Sequence, residues 1–341
     1  MSTHQIQYTD QQYKDAAIRW LPEFLLMPVL ECKSTLQYMT GMPGITGKVK
    51  LPAAESNAQL APYKSNRSSA ASTDLVFRQL ETFEGNVSEE FDPQTVATLL
   101  IGRNTPSLGD GVKNVPSTKL VLGSVMKSIG KHLHDSLFTA KRNANGDTTA
   151  DLFDGWATIA EAEMAAGNIS KAKGNLFELD EAITSVNAVD IAKEIERSCD
   201  PVLRRTDKFL FCAPEFYDAY CDAYLLTHNG VNYNKQYEQP VLEGSNRKTT
   251  IVALDCLAGV KEMFVTPRLN MLYGYDNLSN ASRIEVNRFS PWLLTLAAAM
   301  WFGTQFYSID RRMLNVVKLY EKPASATPET SGTDPDPSDK G

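Results

Sequence analysis

The longest regular alternation of apolar and polar positions runs from Ser117 to Arg142. Leu122, Val125, Met126, Ile129, Leu133, Leu137 and Ala140 recur at spacings of three and four, which keeps them on one face of an α-helix. Lys119, Lys127, Lys131, His132, Asp135 and Lys141 mostly fall off that stripe. Ser117 after Pro116 supplies N-cap chemistry, and the turn cluster Asn143-Ala144-Asn145-Gly146-Asp147 ends the periodicity. The pattern predicts a spine helix over 117–142, about 38 Å long at the usual rise per residue, half buried and crossing its domain. Gly123 and Gly130 weaken it locally and admit another backbone.

Before the spine the pattern changes twice. Ile18, Trp20, Leu21, Phe24, Leu25 and Leu26 crowd together, but Pro22 and Pro28 forbid one regular helix across them. Such an arm has too little chain around it for a core of its own and packs on its own domain or on a neighbour. Residues 53–73 are rich in Ala, Ser and Asn and read as flexible. Leu75–Phe83 partly alternates, Gly85-Asn86 signals a turn, and Val87–Phe91 and Val96–Ile101 read as further pieces of sheet. The stretch 50–100 is therefore expected to be an extended hairpin-like excursion with a mobile tip.

After the spine, helices are expected to 165 (with Asp151 and Asp154 as candidate caps), over 188–203 and over 214–227, the last with Pro214 in its first turn. Strands are expected at 208–213, 249–254, 263–266, 271–275, 283–289, 292–302 and 305–309. The mixture indicates an α+β chain with a compact α/β unit. Residues 322–341, with four prolines among Ser, Thr and Asp, are expected to be disordered.

Composition narrows the function classes. The 341 residues suffice for two domains or for one domain with arms, and 43% hydrophobic content supports a real core. A net charge of −7 argues against nonspecific DNA binding through a basic face. Five cysteines without a Cys-x-x-Cys pair fit a reducing compartment and neither a disulfide framework nor a zinc site. The N-terminus lacks a secretory pattern, and the run 292–302 is too short to span a bilayer, so a soluble cytoplasmic chain is expected.

Catalytic patterns are sparse. There is no glycine-rich phosphate loop, no G-x-S-x-G and no H-E-x-x-H. His132 and His134 are two apart and point to different faces of a helix, which disfavours metal binding. Asp218 and Asp222 share a helix face, for which a solvated acidic surface is the preferred reading. Cys212 reads as a packing residue. No catalytic residue, metal ligand or cofactor is assigned.

The order of parts, an aromatic arm, an extended β excursion, a long spine helix, an α/β unit and returning strands, resembles the major capsid protein of tailed bacteriophages, the Hong Kong 97-type (Johnson) fold. Four stretches are similar to capsid proteins of phages of Bacteroidetes-like hosts: Trp20-Leu21-Pro22, Asp151–Trp156, Phe211–Tyr217 and Thr266–Asp276. The resemblance implies an N-arm at 1–49, an E-loop at 50–102, a P-domain at 103–165 with the spine, an A-domain at 166–279, returning P-domain strands at 280–321 and a tail at 322–341. It implies pentamers and hexamers of the chain itself in an icosahedral shell around double-stranded DNA, assembled in the host bacterial cytoplasm. Portal, scaffolding or auxiliary capsid proteins are the further partners it implies; a membrane is not among them.

Within that reading, the residues expected at inter-subunit contacts are Trp20, Phe24 and Leu25 in the arm and Phe77, Leu80 and Phe83 in the excursion, with Arg78 and Glu81 pairing across subunits. Other readings remain: an encapsulin-like compartment of the same fold, a phage adaptor or tail protein, or a soluble enzyme using the 188–266 unit with Asp218, Asp222 or Cys212.

Overall fold

The computed structural model describes residues 32–56, 62–63, 73–91, 116–228, 240–276, 284–288 and 294–320. Helices are α1 (Lys33–Leu36), α2 (Pro116–Ser136), α3 (Trp156–Ala165), α4 (Ala188–Ser198), α5 (Pro201–Arg205) and α6 (Pro214–His228). Strands are β1 (Thr40–Pro43), β2 (Lys48–Ser56), β3 (Thr73–Glu81), β4 (Phe83–Phe91), β5 (Leu176–Glu178), β6 (Lys208–Cys212), β7 (Thr249–Ala253), β8 (Glu262–Thr266), β9 (Met271–Tyr275), β10 (Ile284–Arg288), β11 (Leu294–Phe306) and β12 (Asn315–Lys318).

The strands form two five-stranded sheets and a separate two-stranded ribbon. In the first sheet the long strand β11 pairs antiparallel with β4, β9 and β10, and β1 adds parallel to β9. The second sheet runs β5-β12-β8-β6-β7. Its period of two sorts the core. Leu176, Phe211, Val252, Phe264 and Val316 point into a cluster shared with α2, α3 and the first sheet. Their strand neighbours Phe177, Leu210, Cys212, Ile251, Met263, Val265 and Val317 point the other way, onto α4 and α6. The second sheet is thus the middle layer of the body, buried on both faces, which is why its strands read as unbroken apolar runs.

The spine helix is Pro116–Ser136, shorter at its C-terminal end than the periodicity implies. Leu137 and Ala140 keep the apolar spacing and are fully buried, but lie beyond the helix, in a turn and just after it. The carbonyls of Leu137 and Phe138 accept from Trp156, Ala157 and Thr158, so the start of α3 satisfies groups a further helical turn would have used. Gly155 allows that approach, because a Cβ there would lie 2.3 Å from the Phe138 carbonyl oxygen. Asp151 closes a capping box with Thr148, and Asp154 accepts from the Arg142 amide, so neither is the cap of α3. Gly130 is buried and its carbonyl accepts from the Cys32 thiol.

Other departures have local causes. The expected helix 188–203 is two, because Pro201 removes an amide and drives Asp200 out of helical geometry; Asp200 then caps α5 by accepting from the Val202 amide. The strands expected at 292–302 and 305–309 merge into β11 through Gly303-Thr304. Gly85-Asn86 is no turn but the interior of β4, where Gly85 packs on Leu152. The excursion is a ribbon of β2 with β3, and β4 returns to the first sheet, so the described part of 50–102 divides between two structures. Trp20, Phe24 and Leu25, the stretch 96–101 and the tail lie outside the described residues.

Candidate assembly surface

Nine residue pairs join β2 to β3, from Lys48 opposite Glu81 to Ser56 opposite Thr73, giving a ribbon about 30 Å long at the usual rise per residue. At its root, residues directly opposite share a face, and the two faces differ. Val49, Leu51, Arg78 and Leu80 turn toward the body, where Leu51 and Leu80 are buried with Ile45 and Leu272, and Val49, Met42 and Tyr307 pack alongside. Pro52 and Phe77, opposite each other, turn outward with Lys48, Lys50 and Gln79; Phe77 is 58% exposed.

The docked face is tied by directed bonds. Arg78 Nε donates to the Phe306 carbonyl at 3.1 Å, and its Nη2 donates to Glu163 Oε1 at 2.8 Å and Gln305 Oε1 at 3.0 Å. Tyr307 donates its hydroxyl to the Pro52 carbonyl, and Gln305 Nε2 donates to Gln79. Thr82 is the hinge between β3 and β4. Its amide donates to the Gly47 carbonyl, and its hydroxyl accepts from the Gly47 amide at 2.9 Å and donates to Ile45 at 3.1 Å. Gly303 of β11 passes beneath, with room for no side chain.

The structure therefore separates the contact residues expected from sequence. Arg78 pairs with Glu163 and Glu81 with Lys48 at 3.0 Å, both within the chain, where cross-subunit pairing had been expected. Leu80 is fully buried in its own subunit, and Phe83 is half buried with the Arg142 guanidinium 4.3 Å above its ring. Phe77 faces outward. Pro52, Thr82 and Gly303 complete the ribbon root without having stood out. Proline opposite an aromatic was the one sequence clue to the outward face, and it needed the register to be legible.

The residues weighed for catalysis do not gather. Cys212 is buried in β6, and desolvation pushes its thiol far above the ordinary value. Asp218 and Asp222 are exposed on α6. His132 is exposed, while His134 Nε2 lies 2.9 Å from Thr35 Oγ1. Among the described residues no three His, Cys, Asp or Glu side chains are placed to hold a metal, and no helix is long and apolar enough to cross a membrane.

No protein-family model matches the sequence, and no curated protein resembles it closely enough to count as a relative. Solved structures do match. The capsid of an empty GTA particle aligns over 85% of this chain and 90% of its own, with a TM-score of 0.50 and 10% identity. A chain of the satellite phage P4 procapsid aligns over 85% and 96%, at 0.49 and 11%. A chain of Mycobacterium phage Adephagia aligns over 85% and 91%, at 0.48 and 12%. At such identity the likeness is one of architecture. The chain has the mixed α+β fold of a phage-type capsid subunit.

Proposed function

We propose that this chain is the major capsid subunit of a tailed bacteriophage, assembling into an icosahedral shell that encloses double-stranded DNA. The observation that carries the reading is the ribbon. On a body with a capsid-type fold, two strands leave the main sheet with one face anchored at the root and an apolar pair, Pro52 and Phe77, turned away from the subunit. A shell subunit would bury such a pair against its neighbours.

In this reading the ribbon is the E-loop, α2 with the first sheet is the P-domain, the five-stranded α/β unit is the A-domain, and the segment before Cys32 is the N-arm. Pentamers and hexamers of the chain build the shell in the bacterial cytoplasm, with portal and scaffolding proteins as further partners. The role is structural and draws on no cofactor. An acidic subunit suits it, because shell strength comes from protein contacts while strong adhesion to DNA would hinder packaging and release. A shell whose inner surface mapped as strongly basic would contradict that last point.

The test is negative-stain electron microscopy of the purified protein beside its size-exclusion profile. Closed shells, or rings of five and six, are expected. A chain that remains monomeric at all concentrations, alone and when co-expressed with the proteins encoded beside it, would overturn the proposal.

A further inference from the structure

The second sheet ends, where β6 and β7 begin, in a corner of uncompensated cations. Lys208 and Thr249 are the first paired residues of these parallel strands, and the Lys208 amide donates to the Lys248 carbonyl at 2.9 Å. Arg204 and Arg205 close α5 just before β6, and Arg247 and Lys248 lead directly into β7, so all four flank one rung of the sheet. Arg204, Arg205 and Arg247 are exposed, and their side chains make no ion pair or hydrogen bond with a described residue. The carboxylates around them are engaged elsewhere: Asp207 with Lys248 at 2.8 Å, Asp200 with Arg311 at 3.2 Å, Glu243 with Lys193 at 3.5 Å, and Glu196 with the buried Lys208 at 2.9 Å. On the outer face of α4, exposed Glu194 is matched in charge by exposed Arg197. The corner therefore keeps three guanidinium groups without a described partner, on a chain whose net charge is −7.

The backbone holds one of these arginines out under strain. Asn246 and Arg247 have φ of 53° and 61°, in the left-handed region, and the Lys248 amide donates to the Ser245 carbonyl at 3.1 Å across them. This is a hairpin turn whose second central position favours glycine. Arginine keeps there a conformation that glycine would relax, and such outliers gather where a side chain is used. The complement is in the chain's own sequence. Residues 321–341 carry five carboxylates against two lysines, and Asp334 and Asp336 each precede a proline. A residue before proline favours extended backbone, in which side chains two positions apart fall on one side, about 7 Å from each other. β12 and β6 are both antiparallel to β8, so Lys318 and the chain after it leave the second sheet at the end away from the corner. The way back is about 20 Å along the strands and about 14 Å across them. The chain from Tyr320 to Asp334 reaches about 45 Å when extended, which is ample.

We propose that the acidic segment 329–339 returns over this corner of its own chain, its carboxylates taking the forks of Arg204, Arg205 and Arg247. A guanidinium pairs with a carboxylate through two parallel hydrogen bonds, a geometry an ammonium cannot offer. The contact is made within one subunit, so it goes beyond the shell reading and does not depend on it. It screens the corner from other polyanions: nucleic acid must displace the segment to reach these arginines. Being a contact between exposed groups, it weakens as salt shortens the reach of the charges.

The experiment follows a fluorophore attached at Ser338→Cys in the full-length chain, at concentrations where sedimentation shows single subunits. The five native thiols are buried and stay unlabelled in the folded protein. Fluorescence anisotropy is measured against salt in this parent, in Arg205→Glu with Arg247→Glu, and in Asp334→Asn with Asp336→Asn and Asp339→Asn; thermal melts verify that each chain folds. The parent's anisotropy at low salt is expected to exceed its value at high salt, and both variants are expected to lose most of that excess. A short DNA duplex added at low salt is expected to bind the chain with the neutralised segment about tenfold more tightly than the parent. Anisotropy that ignores salt, or that is equal in all three chains, would overturn the proposal. Anisotropy that rises with protein concentration would overturn it too, by assigning the contact to a second copy. Equal binding of DNA by the parent and by the chain with the neutralised segment would show the arginines open to nucleic acid and overturn the screening. Shell assembly is read separately, by electron microscopy, so neither reading stands or falls with the other.

Discussion

Replacing Arg78 by Ala removes a side chain that binds the ribbon to three other places in the body: the Phe306 carbonyl, Gln305 and Glu163. The Arg78 and Glu163 side chains are 13% and 20% exposed, so the pair is neither surface-screened nor fully dry. At an effective dielectric near 20, unit charges about 4 Å apart attract by about 4 kcal/mol, and desolvation cancels much of that. Hydrogen bonds to charged groups contribute about 1.5–3 kcal/mol net, which sets the expected cost of Arg78→Ala at about 2–3 kcal/mol. Glu163 keeps one partner, since Asn168 Nδ2 donates to its Oε2 at 2.7 Å, which holds the figure below that of a wholly orphaned carboxylate. Arg78→Lys retains charge but not the planar fork and should recover only part of the loss. The assay is urea unfolding of the unassembled chain in a double-mutant cycle with Glu163→Gln, with a coupling of about 1–2 kcal/mol expected. Hydrogen exchange should show β2 and β3 opening before the sheets. A single-mutant cost under about 0.5 kcal/mol, or strict additivity with Glu163→Gln, would refute the reasoning and leave the Leu51–Leu80 cluster as the anchor.

Gly303→Ala would place a Cβ 2.1 Å from the Glu81 carbonyl oxygen, which is backbone and cannot swing away, so a loss of about 3 kcal/mol is expected; unchanged thermal unfolding would contradict it. Lys208 is buried and donates to Glu196 at 2.9 Å, while Thr249 donates to the other carboxylate oxygen. Lys208→Met therefore strands a buried charge at a cost of about 3–5 kcal/mol, partly relieved by adding Glu196→Gln, both measurable by denaturant titration. Desolvation by burial pushes the Cys199 thiol from 9.0 to about 11 and the Tyr220 phenol from 10.0 to about 12. The folded chain holds these protons more tightly, so their contribution is complete below pH 9 and is lost as pH rises toward 12; melting under reducing conditions should fall over that window. All five cysteines are buried, so a thiol reagent should label none in the native subunit and all five after unfolding.

Elements whose causes are local were legible in the sequence. Strands β6, β8 and β9 carry dense apolar runs, and α6 begins at a proline that suits a first helical turn. The spine's face was legible too, since Val125, Met126 and Leu133 are buried as their spacing implies. Its end was not, because the groups that stop it, the amides of α3, lie well ahead in the chain. The same holds at the ribbon. Nothing near Arg78 announces Glu163, and β2, with proline and alanines, has little strand character until β3 lies beside it. The single-chain partners of Arg78 and Glu81 were invisible for that reason, and the outward turn of Phe77 became legible only with the register that sets it opposite Pro52.

The placing of β11 and β12 bears on how the chain is made. Each is an inner strand of its sheet: β11 runs between β4 and the β9–β10 edge, and β12 between β5 and β8. Both belong to the last part of the described chain to leave the ribosome. During synthesis, then, β4, β9 and β10 wait for β11, and β5 waits for β12 to join it to β8, so neither sheet is complete until the last strands arrive. High separation between pairing residues makes such closure slow. A chain cut short before residue 294 would leave β4, β9 and β10 without their common partner and β5 unpaired, and is expected to be cleared instead of joining an assembly as a defective member. Quality control is in this way built into strand order.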